Sequence, residues 1–181
     1  MKYIHLKISD ILLLEPDIFR DERGFFYEGF NQKEFDKILG EKISFVQDNY
    51  SNSKKNTLRG LHYQTPPKGQ GKLVQVLQGE IFDVVVDLRK KSPTFGSHVT
   101  QKLDSVTKKQ LWIPAGFAHG FLVLSDIAEV MYKATDFYHP NYERSIIWND
   151  SNLAINWPKC SKILMSDKDK KASVFLDIDY F

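Results

Sequence analysis

The chain has 181 residues, 42% of them hydrophobic and 27% charged, which fits one globular domain over 1–181 with enough length to bury a core. Lys and Arg number 25 against 23 Asp and Glu, a formal charge of +2; no block of like charge exceeds the short K-D-K-K at 168–171, so nucleic acid is excluded as a partner while a local cationic pocket for a small anion stays open. The one cysteine, Cys160, excludes an internal disulfide framework and a cysteine zinc cluster. No apolar run approaches the roughly 20 residues of a membrane span, so the expectation is a cytoplasmic protein without signal or anchor.

Taken in chain order, the predicted elements are mostly strands. Short apolar or period-2 runs predict them over 11–14, 25–30, 43–49, 57–64, 73–77, 81–88, 98–103, 110–113, 120–124 and 128–134. Turn chemistry fills the breaks: S-N-S-K-K-N after Tyr50, T-P-P-K-G-Q-G after Gln64, Q-G-E after Leu77, K-S-P-T-F-G after Lys90 and P-A-G after Ile113. Many short strands in one domain predict a sandwich or barrel. A helix is predicted over 31–39, with Asn31 as its cap, Glu34 as reciprocal partner, Phe30 and Phe35 as a flanking staple and Gly40 as its stop. A shorter helical turn is predicted over 166–172, where Ser166 suits the N-cap and Asp167 and Asp169 the first turn.

The segment 57–72, T-L-R-G-L-H-Y-Q-T-P-P-K-G-Q-G-K, sets Arg59, His62 and Lys72 among three glycines in an otherwise apolar β region, which reads as a site built on a strand. P-A-G-F-A-H-G-F at 114–121 places His119 in a similar setting. Alternation puts Leu58, Gly60, His62 and Gln64 on one face and Arg59, Leu61 and Tyr63 on the other. Arg59 and His62 therefore share a site only if Gly60 hosts a bulge or Arg59 reaches in from the rim. A metal site of the H-x-H type would need a second histidine where Gln64 stands, and Lys72 would repel the ion, so no metal is expected.

Without a metal or cofactor motif, the available tools are a base, an acid and cations. His62 is the candidate base. Tyr132, in E-V-M-Y-K-A-T-D at 129–136, is a candidate acid for the opposite face of a substrate, and Lys72 a candidate stabiliser of a developing oxyanion. The bland alternatives are a core histidine, an ordinary strand aromatic and a solvated strand-end lysine.

Ten ordered blocks, D-E-R-G-F-F-Y-E, F-V-Q-D-N, L-R-G-L-H-Y-Q, Q-G-K-L-V, D-V-V-V-D-L-R, S-P-T-F-G, W-I-P-A-G-F-A-H-G-F, Y-K-A-T-D-F-Y, I-I-W-N-D and S-D-K-D, span nearly the whole chain. Together they resemble the dTDP-4-dehydrorhamnose 3,5-epimerase family. The resemblance implies a mainly β, cupin-like double-stranded β-helix (a jelly-roll barrel) with a few short helices. It also implies a homodimer that acts without cofactor or metal on a nucleotide-diphosphate sugar carrying a 4-keto-6-deoxy group. In that chemistry the C4 ketone acidifies the C3 and C5 hydrogens, and removal of one followed by reprotonation from the other face inverts the carbon.

By the same resemblance His62 is the base, Asp167 its orienting carboxylate, Tyr132 the proton donor, Lys72 the cation near the C4 oxygen, and His119 a wall of the sugar pocket. Arg23 and Arg59 match positions facing the diphosphate, and Glu28, Gln47 and Asn49 positions contacting base or sugar. Phe19 and Tyr138 supply aromatic faces for the base, with Glu143 and Lys168 near the rim and Asp83 a possible polar member of the interior. Relatives include 3-epimerases and enzymes of GDP-linked 4-keto-6-deoxyheptoses, and Tyr50 stands where many rhamnose-pathway members carry histidine. A metal-dependent cupin enzyme and a non-catalytic sugar-binding cupin are the readings from other classes.

Overall fold

The computed structural model describes residues 1–181. One sheet has six strands in the order β1 (Lys2–His5), β2 (Leu12–Glu15), β10 (Gln110–Ile113), β7 (Lys72–Gln78), β12 (Ile127–Ala134) and β5 (Gln47–Lys54). A second has five: β13 (Glu143–Ser145), β6 (Leu58–Gln64), β11 (Phe117–Val123), β8 (Glu80–Asp87) and β9 (His98–Asp104). β3 (Ile18–Asp21) and β4 (Gly24–Tyr27) form a separate hairpin. All neighbours pair antiparallel, and the two large sheets face each other across an apolar interior as a cupin-like jelly roll. No helix is long and apolar enough to cross a membrane.

Period-2 alternation builds that interior. Leu13, Val74, Val76, Leu111 and Val130 of the first sheet meet Val85, Phe117, Phe121 and Val123 of the second in a cluster of 16 buried residues. The intervening Leu12, Leu14, Leu73 and Trp112 are also buried, because helix α1 (Gln32–Leu39) lies over the outer face and inserts Phe35 among them. This explains why β2 reads as an unbroken L-L-L: both of its faces are covered. On the far side, Leu61, Tyr63, Val84 and Val86 are roofed by Leu153 and Phe175 from the later part of the chain.

Helix α1 begins where the sequence predicts. The Asn31 side chain accepts from the Glu34 amide, Phe30 stacks near Phe35 with centroids 5.6 Å apart, and Gly40 ends the helix at φ 73° while donating its N–H to the Asp36 carbonyl. Helix α2 (Asp167–Lys170) is capped by Ser166, whose hydroxyl accepts from the Asp169 amide. Elsewhere the prediction departs from the fold. Residues 43–46 are irregular, because Gln32 and Asp36 of α1 take up the Ile43 carbonyl and amide that a strand would have paired. The strand expected there runs on through 51–54, part of the S-N-S-K-K-N stretch read as a break, because β12 pairs it as far as Lys54. Strands β1, β3 and β13 are additional; their mostly exposed or half-buried residues carry no apolar alternation.

Candidate active site

At one end of the barrel the inward positions become polar. Lys72 precedes Val74 and Val76 on the inner face of β7, Tyr132 follows Val130 on β12, Asp83 sits between Ile81 and Val85 on β8, and His119 between Phe117 and Phe121 on β11. Together with Arg59 and His62 of β6 and Asn49, Tyr50 and Ser51 of β5, these strands enclose a cleft of about 250 Å³ that Lys72, Tyr132 and His119 line directly.

Gly60 resolves the conflict between Arg59 and His62. β11 pairs His119 with His62 but Phe121 with Arg59, so Gly60 and Leu61 stand opposite the single residue Gly120. That bulge turns Arg59 to the same side as His62, and both line the cleft. It demands glycine: Gly60 lies at φ +114°, and a Cβ there would come within 2.6 Å of the Gly120 Cα and 2.7 Å of the His119 carbonyl oxygen.

His62 Nε2 lies 2.5 Å from Asp169 Oδ1. The carboxylate is not Asp167, which is exposed and paired with Lys170 at 2.8 Å. On the short helix α2 these two residues are about 200° apart, so only one can face the barrel, and the Ser166 cap presents Asp169. Burial works to raise the Asp169 carboxyl. The hydrogen bond and charge of His62, with help from Ser166 and Lys168, outweigh it and hold the group below the usual carboxylate range. An ionised carboxylate only accepts, so His62 donates from Nε2, and in the neutral imidazole that tautomer leaves the lone pair on Nδ1.

Lys72 is 8% exposed. Burial lowers its pKa to about 8 against the opposing pull of Asp83 and Glu143. Its Nζ donates to the His62 carbonyl at 3.5 Å and stands 5.8 Å from the Tyr132 ring centre. Burial raises the Tyr132 hydroxyl, Glu143 adds to the shift and Arg59 opposes it, so the phenol holds its proton. His119 Nε2 lies 2.8 Å from Asp83 Oδ2. Burial pushes the Asp83 carboxyl up despite His119 and Lys72, and its other oxygen has no partner.

A polar rim surrounds this centre. Tyr138 Oη donates to Glu143 at 2.7 Å, Lys168 pairs with the same carboxylate, and Gln47 joins the cluster by accepting from the Tyr138 amide and donating to Asn49 at 2.9 Å each. The Asn49 Nδ2 group is buried without a partner. Phe19, Arg23 and Glu28 line no part of the cleft. Phe19 and Arg23 belong to the β3–β4 hairpin, where Arg23 pairs with Asp21 at 2.6 Å, and Glu28 accepts from Asn31 Nδ2 at 3.1 Å. Three His, Cys, Asp or Glu side chains do not converge anywhere as a metal-binding group.

The model of the family described as dTDP-4-dehydrorhamnose 3,5-epimerase matches residues 5–177. A protein of that name from Pseudomonas aeruginosa is 53% identical over 181 residues, covering 100% of this chain and 99% of the relative. The Escherichia coli K12 protein of the same name is 54% identical over 171 residues, 94% of this chain and 92% of the relative. The crystal structure of dTDP-6-deoxy-D-glucose-3,5-epimerase from Legionella pneumophila in complex with dTDP-4-keto-L-rhamnose superposes with a TM-score of 0.95 at 51% identity, covering 98% of this chain and 94% of that one. Identity of this order over the whole length of its relatives shows that the chain belongs to the dTDP-4-dehydrorhamnose 3,5-epimerase family and is an isomerase acting on a nucleotide-linked sugar.

Proposed function

We propose that the chain converts dTDP-4-keto-6-deoxy-D-glucose to dTDP-4-keto-L-rhamnose by inverting C3 and C5, with His62 as base and Tyr132 as acid. The observation that carries this reading is their placement: His62 projects from the five-stranded sheet and Tyr132 from the six-stranded one, so they face the cleft from opposite walls. His62 Nδ1 takes the proton from C5 or C3, the electron pair moves onto the C4 oxygen, and the Lys72 ammonium, itself buried, balances the enolate charge. Tyr132 returns a proton to the other face of the same carbon. Before the second inversion His62 gives its proton to solvent and Tyr132 takes one back, so protons and charge balance and no electron acceptor is required. A thymidine-linked substrate is favoured over a guanosine-linked one because the Legionella relative was crystallised with dTDP-4-keto-L-rhamnose.

For the nucleotide end, Arg59 faces the diphosphate with its guanidinium fork, and Asn49, Gln47, Tyr138, Glu143 and Lys168 form the rim against the nucleoside. In this reading Phe19, Arg23 and Glu28, which line no part of their own chain's cleft, serve that of a second copy, and the working form is a homodimer.

Incubation with the dTDP-linked 4-keto sugar in D2O, followed by NMR at C3 and C5, tests the assignment. His62→Ala should abolish deuterium incorporation at both carbons, and exchange at the parent rate would require another base. Tyr132→Phe should lose inversion while retaining exchange, because His62 still returns a proton to the face it came from; equal loss of both would refute a separate donor.

A further inference from the structure

Ser53 has no part in the proton chemistry, yet it touches the cleft's arginine. It lies on β5 in phase with Asn49 and Ser51, both of which line the cleft, and is 5% exposed. Across the β5–β6 turn, Arg59 Nε donates to Ser53 Oγ at 3.0 Å. Arg59 makes no ion pair. By contrast, Arg23, Arg89 and Arg144 are each tied to a carboxylate, at 2.6, 2.8 and 2.9 Å. The guanidinium is therefore held at one donor by a neutral acceptor, while its two terminal nitrogens have no partner.

A guanidinium presents five donors in a fixed plane, so fixing Nε fixes the direction of the terminal pair. A carboxylate in place of Ser53 would neutralise the cation and compete with an anionic ligand; a hydroxyl orients it at no electrostatic cost. Without the hydroxyl, the side chain is free to sweep several rotamers, and a bidentate grip on phosphate oxygens would have to reimpose that order.

We infer that Ser53 is a positioning residue that aims the terminal fork of Arg59 into the cleft and so sets how strongly the site prefers a nucleoside diphosphate to the bare nucleoside. The inference rests on the reading of Arg59 as the diphosphate contact. Its signature is selective, since a hydroxyl lost only from the packing would weaken both ligands alike or neither.

Calorimetric titration of the full chain with thymidine diphosphate and with thymidine decides the matter. Ser53→Ala should weaken the diphosphate by about fivefold, as for loss of one oriented hydrogen bond, and leave thymidine unchanged, with Ser53→Thr near the parent value. Ser53→Cys, nearly isosteric but a poor acceptor, supplies the same ratio should the alanine variant fail to fold. Arg59→Ala separates the two levels of the argument. If it weakens the diphosphate while Ser53→Ala does not, or while Ser53→Ala weakens both ligands equally, the role of Ser53 is overturned and the Arg59 contact stands. If Arg59→Ala leaves the diphosphate unaffected, the contact and the inference built on it fall together.

Discussion

A two-residue difference in α2 has a measurable consequence at the level of single side chains. Asp169, not Asp167, accepts from His62, so Asp169→Asn should lower kcat by about a hundredfold or more, because the amide no longer fixes the tautomer that leaves Nδ1 as base. Asp167→Asn should stay within about twofold of the parent, since that carboxylate meets only Lys170; reversed effects in steady-state assays would return the dyad to Asp167. Lys72 supplies the pH dependence. With its pKa lowered to about 8, the ammonium that balances the enolate is present below that pH and lost above it, so kcat should decline on an alkaline limb near pH 8. Asp83 holds that proton on, and Asp83→Asn should therefore move the limb to lower pH by about one unit. A limb that stays in place in the pH–rate profile would detach Asp83 from Lys72. The histidine, lysine and tyrosine were legible in the sequence because each is a polar residue breaking an apolar strand. The choice between two aspartates in S-D-K-D was not, because it depends on the rotation of a four-residue helix that only the Ser166 cap and its packing define.

At the scale of elements, the meeting of β6 and β11 carries the site. Gly60 and Gly120 let the two backbones approach where the extra residue of β6 is accommodated, and a Cβ on Gly120 would come within 2.6 Å of the Arg59 carbonyl oxygen. Neither neighbour is a flexible side-chain end, so relief requires the ladder itself to move. Gly60→Ala should therefore cost about 3 kcal/mol in denaturant unfolding, at the upper end for overpacking, and should remove activity by turning Arg59 and His62 apart. Asn31→Ala, by comparison, removes the capping bond of α1 together with the bond to Glu28, and should cost about 1 kcal/mol in the same unfolding measurement. The sequence raised the bulge as one of two ways to unite Arg59 with His62; the choice is a matter of register, which depends on the partner strand rather than on β6. Helix α1 was legible nearly to the residue because its cap, staple and glycine stop are all local. Strands β1, β3 and β13 were not, since short solvent-facing strands are specified by their partners and not by apolar periodicity.

At the scale of the whole molecule, the β3–β4 hairpin is the part that the single chain leaves unexplained. Phe19, Phe25 and Phe26 are 65%, 52% and 70% exposed on it, an apolar concentration of the kind that marks an interaction surface. The hairpin is braced from below, with Lys108 Nζ 4.8 Å from the Phe25 ring centre and Gln75 bonded to the Tyr27 hydroxyl, so it projects as a set piece. β1 adds an open sheet edge. If Phe19 and Arg23 serve a second copy's cleft, as proposed, the assembly is two-fold and covers the hairpin, and sedimentation equilibrium at micromolar concentration should give a dimer. Subunit mixing then tests the sharing itself. Arg23→Ala and His62→Ala chains are each deficient as homodimers; after random exchange at equal amounts, half the dimers are mixed, and if Arg23 serves across the interface each mixed dimer has one site free of both lesions. Activity at subsaturating substrate should recover to about a quarter of the parent value by that count. If Arg23 serves its own chain, every site retains a lesion, and mixtures shown by mass spectrometry to have exchanged would stay as inactive as their components.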